Sequence, residues 1–111
     1  MKNKSGKAVV ANLDGATASL AGAQVNADLS YNPLNADGAD GAVAYPITAP
    51  TRILVYKNQT DRIKGAAIKS FLTYMLNDGQ KLARDVDYAP LPAALQQKAM
   101  AQIDAIVVPA T

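Results

Sequence analysis

The chain contains no cysteine, no histidine, no glutamate and no tryptophan. Without cysteine there is no disulfide framework and no thiolate to act as nucleophile or metal ligand. Without histidine the commonest general base and the commonest metal ligand are both missing. Without glutamate all side-chain acid chemistry falls on aspartate. No apolar run is long enough for a transmembrane helix. The opening stretch, MKNKSGKAVVANLDG, does not read as a signal peptide, because residues 8–11 are too short for an apolar core and no cleavage pattern follows. The formal net charge of +2 is too small to point to nucleic acid. Lys2, Lys4 and Lys7 form a basic tip with no interleaved aromatic for base stacking, so a solvated hairpin tip is expected there.

What is present fits one small globular domain. Half of the 111 residues are hydrophobic and 18% are charged, which separates the chain from disordered sequences. Much of the apolar fraction is alanine, which buries little surface, so larger side chains must carry the core. These concentrate in residues 45–56 and 68–82, while the first 44 residues are poor in them and are expected to lean on something else for stability.

Residues 3–7 (NKSGK) are turn chemistry, with Gly6 able to take a positive φ. Residues 8–10 can form a short strand. Residues 13–23 form a small-residue helix that Asp14 can cap, with Leu13, Thr17, Leu20 and Ala21 on one face. Residues 26–44 are loop-like. Residues 45–48 (YPIT) begin an extended segment. Residues 52–57 (RILVYK) form a short apolar run with β-branched and aromatic side chains, the pattern of a strand covered on both faces. On that reading residues 53–56 carry the best-protected backbone, and a charge at Leu54 abolishes folding. Ile68, Leu72, Met75 and Leu76, with Phe71 beside them, make one helical stripe. The group Phe71, Tyr74 and Met75 is expected in the core. Residues 77–79 (NDG) end or bend that helix, and residues 80–84 allow a further short turn. Residues 88–92 (YAPLP) are a rigid connector. Pro92 suits the first turn of a last helix, whose inner face is Leu95, Ala99, Gln102, Ile103 and Ile106.

No constellation nominates a reaction. Residues 37–41 (DGADG) lack the alternating oxygens and the closing acid of a calcium loop, so a plain loop is expected and no metal or other cofactor. No glycine-rich phosphate cradle joins a strand to a helix. Asp85 and Asp87 read as solvated charges or a helix-end cap. With no base available, an enzyme is not expected.

From residue 44 onward the chain resembles a known family. The words AYPITAPTRILVYKNQ, then KGAAIKSFLTYMLNDGQKLARDVDYAPLP, then a closing helix with QQKAMAQID, are similar in order and spacing to the C-terminal portion of phosphate-specific substrate-binding proteins of ABC transporters, with actinobacterial members nearest. NKSGKAVVAN, the alanine-rich helix and YNPLNADGAD extend the resemblance over the whole chain.

The resemblance implies an α/β architecture, here a partial type II periplasmic-binding-protein fold. Residues 1–44 then end the second lobe, with a turn, a short strand, a helix and a loop. Residues 45–51 form the hinge crossover, with Tyr45, Pro46, Ile47 and Thr48 as hinge residues. Residues 52–111 supply a first-lobe strand and its helices. It also implies inorganic phosphate as ligand of the complete protein, an ABC-transporter permease as partner, and a periplasmic or cell-surface location. The family's hydroxyl-rich phosphate cradle has no counterpart in these residues. Arg52 stands where the family usually has a bulky residue and is the one candidate anion contact. Gly41-Ala42-Val43 reads as a small insertion. The open edges of the strand at 52–57 call for another chain, either a second copy or the missing lobes. A second reading, of a different class, is a stand-alone interaction module derived from that fold that does not bind phosphate.

Overall fold

The computed structural model describes residues 1–31 and 42–110. The loop at 37–41 and the start of the 41–43 insertion lie outside the described residues. Over the described residues the elements are α1 (Leu13–Ala21), α2 (Arg62–Leu76), α3 (Asp78–Leu82), a 3₁₀ turn (Ala83–Val86) and α4 (Ala93–Asp104).

The chain starts as a tight hairpin. Met1 and Val9 exchange backbone hydrogen bonds of 3.0 and 2.8 Å, and Lys2 and Ala8 form an isolated antiparallel bridge. The turn closes through the Asn3 side chain, which accepts from the Lys7 amide at 3.0 Å, and through Gly6, whose φ of +73° suits a residue without a Cβ. Lys2, Lys4 and Lys7 are exposed around it. The strand expected at residues 8–10 is therefore reduced to a single bridge.

α1 is capped by Asn12 rather than by Asp14. The Asn12 carboxamide accepts from the Gly15 amide at 2.7 Å, and Asp14 falls inside the first turn. Its buried face is Gly15, Ser19 and Leu20, so Ala21 turns out to be exposed. Leu20 and Tyr31 form a small core with Ala23, Val25 and Leu91.

α2 begins at Asp61, whose carboxylate accepts from the Lys64 amide at 2.9 Å. Asn77 stops it, at φ −106° and ψ −91°, and starts α3. The stop agrees with the NDG signal in the sequence. The 3₁₀ turn closes at Asp87 in the left-handed region. Pro92, in an extended conformation, occupies the N-cap of α4. Ile103 and Ile106 are buried, while Gln102, expected on the inner face, is exposed. α2 and α4 pack together, joined at one end by Lys69 donating to the Asp104 carbonyl at 3.1 Å.

The run at 52–57 corrects the sequence expectation. No named strand occurs among the described residues. Leu54 is 95% exposed, Tyr56 87% and Ile53 53%. The segment pairs only at its end, where Val107 donates to the Lys57 carbonyl at 2.8 Å and Gln59 donates to the Val107 carbonyl at 2.9 Å, a parallel bridge. A strand buried on both faces needs paired neighbours and two covering layers; here α2 supplies one wall and, among the described residues, no strand flanks residues 53–55. For the same reason Phe71 and Tyr74 are 60% and 46% exposed instead of in the core. The radius of gyration, 16.0 Å, exceeds the roughly 13 Å typical of a compact domain of 100 residues.

Candidate functional site: the segment at 44–48 and an open apolar groove

The segment at 44–48 is held against α1 by backbone contacts. Asn3 donates its side-chain amide to the buried Ala44 carbonyl at 3.3 Å, and the Tyr45 amide donates to the Gly15 carbonyl at 3.0 Å. Gly15 is required by this approach. A Cβ there would lie 2.9 Å from the Val43 carbonyl oxygen and 3.1 Å from the Tyr45 Cβ. Beyond Tyr45 the chain bends at Pro46 and Ile47 instead of staying extended, with the Thr48 hydroxyl donating to the Tyr45 carbonyl at 2.9 Å. Ile47 is 70% exposed.

Arg52 follows on the surface. Its guanidinium stands 5.4 Å from the centre of the Tyr31 ring, within cation–π reach, and Nη2 lies 3.5 Å from the Tyr31 carbonyl oxygen. Tyr31 is buried, and its hydroxyl has no hydrogen-bond partner among the described residues. Burial raises its pKa, an effect that the Arg52 charge partly offsets. Arg52 is thus engaged with Tyr31, and the structure does not bring Lys2, Lys4 or Lys7 to it in any hydrogen bond or ion pair.

Gln80 and Thr17 tie α3 and α1 to the connector at residues 88–92. Gln80 donates to the Met75 carbonyl at 3.1 Å and accepts from the Leu91 amide at 2.8 Å. Thr17 of α1 donates to the Pro90 carbonyl at 2.8 Å. Arg84 pairs with Asp14 at 2.5 Å on the surface. A lone glutamine within a short helix carries no signal of such a clamp, because its partners lie 5 and 11 residues away in the chain. Asp85 and Asp87 are exposed. Among the described residues no group of three or more His, Cys, Asp or Glu residues is placed to hold a metal ion, and no helix is long and apolar enough to cross a membrane.

A groove of about 280 Å³ with a mainly apolar lining lies between residues 53–56 and α2, walled by Ile53, Leu54, Tyr56, Ile68, Phe71 and Leu72. It is open to solvent and holds no convergent polar groups that would orient a small polar ligand.

Comparison with known proteins relates the chain to phosphate-binding proteins. Over 81 residues, 69% of the chain, it is 38% identical to the phosphate-binding protein PstS of Xylella fastidiosa strain 9a5c, and equally so to that of strain Temecula1. Over 102 residues, 92% of the chain, it is 28% identical to the phosphate-binding protein PstS of Pasteurella multocida. The chain spans only 22–29% of the length of these curated relatives. No family model matches it, and no solved structure does.

Proposed function

We infer that this chain is the C-terminal portion of a phosphate-binding protein that delivers inorganic phosphate to an ABC importer, and that the phosphate ligands lie outside it. The observation that carries this reading is the similarity to phosphate-binding proteins over 69–92% of the chain. The absence of histidine and cysteine from the sequence supports a binding role over an enzymatic one.

On this reading residues 1–44 belong to the second lobe, residues 45–51 are the crossover with Tyr45, Pro46, Ile47 and Thr48 as hinge, and residues 52–111 complete the first lobe. The bend at Pro46 and Ile47 supports the hinge, since a short segment between two anchored regions is where backbone rotation concentrates. Arg52, next to that segment, is the one candidate for an anion contact, because a guanidinium pairs well with phosphate oxygens. A permease is the partner of the complete protein, which works in the periplasm or at the cell surface. The actinobacterial form of the family belongs to this proposal.

The test has two arms, both read by titration calorimetry with inorganic phosphate. The isolated chain is expected to show no micromolar binding. A chimera in which it replaces the matched segment of the Xylella fastidiosa protein is expected to bind phosphate as that protein does. A folded chimera that fails to bind, or micromolar binding by the isolated chain, overturns the reading.

A further inference from the structure

Residues 1–31 and residues 80–104 are joined by the connector and by side-chain ties, not by packed helices. Among the described residues α1 packs along no other helix. Instead Pro90 and Leu91 sit against it. Thr17 donates to the Pro90 carbonyl at 2.8 Å, and Leu91 packs on Leu20 and Tyr31. Gln80 fixes Leu91 from its own side by accepting from the Leu91 amide at 2.8 Å. Two further ties lie at the surface. Arg84 pairs with Asp14 at 2.5 Å, and Gln102 of α4 donates to the Ala27 carbonyl at 2.5 Å. The three polar ties to residues 14–27 each join positions 70–75 apart, so they span the segment at 45–51 and no local geometry enforces them.

This seat is held lightly. Leu91 is half-buried, and the two outer ties are exposed. Exposed ion pairs add little to stability. The closed arrangement also carries a cost. The Tyr31 hydroxyl is buried and has no hydrogen-bond partner among the described residues, and lifting Leu91 away would let water reach it. Weak ties set against an unpaired buried hydroxyl bring two arrangements close in free energy.

We propose that Pro90 and Leu91 form a clasp that closes residues 12–31 onto residues 80–104, and that opening it lets the two portions rotate about residues 45–51. Opening also parts the Tyr31 ring from Arg52 and frees that guanidinium. That the two portions belong to different lobes rests on the reading above; the clasp itself does not.

The chain has no cysteine, so Ala21→Cys and Ala94→Cys, at exposed positions of α1 and α4, place one spin label on each portion. Double electron–electron resonance on the full chain reads the distance between them. One narrow distance is expected with the native clasp. Thr17→Val with Arg84→Gln removes two of its polar ties and should raise the ratio of open to closed chains about tenfold. This appears as a second distance, with the helical circular dichroism unchanged. Leu91→Ala should raise the ratio further. Thr73→Val, which removes a hydroxyl bonded within α2, should leave the distance alone. A broad distribution before any substitution, or a distance that ignores Thr17→Val with Arg84→Gln, overturns the proposal. So does loss of helical signal in that variant, which would make the seat part of the fold and not a device. The experiment uses no phosphate. A clasp that responds beside a chimera that fails to bind sinks only the phosphate reading, and the converse sinks only the clasp.

Discussion

The first 31 residues and residues 52–76 differ in opposite directions from what their composition promises. The first region is poor in large apolar side chains, yet it supplies Val9, Leu20 and Tyr31 to a core whose buried apolar members also include Ala44, Ile103 and Ile106. The second holds the densest large apolar content of the chain and leaves Leu54, Tyr56, Ile63 and Phe71 exposed. The difference shows that apolar content marks surface to be covered without saying which chain covers it. Small residues let α1 and residues 43–45 approach closely, as Gly15 shows, so Val9, Leu20 and Tyr31 are buried with little apolar surface around them. The 52–76 region faces outward because the described residues contain no layer to lay over it.

The largest expected effect tests the first region. Leu20→Ala should destabilise the chain by about 2–5 kcal/mol, the range for truncating a buried leucine, measured by urea denaturation. A loss no greater than that of a surface substitution would mean that the small core around Leu20 and Tyr31 does not hold the fold. A smaller effect is expected where α3 meets the connector at residues 88–92. Gln80→Ala removes both the acceptor for the Leu91 amide and the donor to the Met75 carbonyl, at a cost of about 1–2 kcal/mol. Protection of the Leu91 amide from hydrogen exchange should fall with it. The smallest effect belongs to the second region. Leu54→Asp should change stability by no more than about 0.5 kcal/mol, as at other exposed positions. Cooperative unfolding lost in that variant would restore the buried strand that the sequence pattern predicts.

Local structure was legible wherever neighbours in sequence decide it. The period of Ile68, Leu72, Met75 and Leu76 marks α2, the NDG stretch stops it, and Pro92 opens α4. The Asn3 to Lys7 turn is likewise written in its residues. The cap of α1 was misassigned by two residues, since Asn12 and Asp14 are both competent and only the backbone path selects between them. The segment at 45–48 was legible as a break but not as a bend.

By itself the sequence determined the stop of α2 and the opening of α4, that no thiol or imidazole chemistry is present, and the likeness to phosphate-binding proteins that the comparisons support. Periodicity, caps and turns act over a few residues, so a single chain specifies them. Only the tertiary structure decided that Gln80 clamps the connector, that Arg52 lies over Tyr31, and that the apolar run at 52–57 stands open. Each of these depends on what arrives from far along the chain, or fails to arrive. A β-strand makes the dependence sharpest, because a helix satisfies its backbone within itself while a strand needs a neighbour.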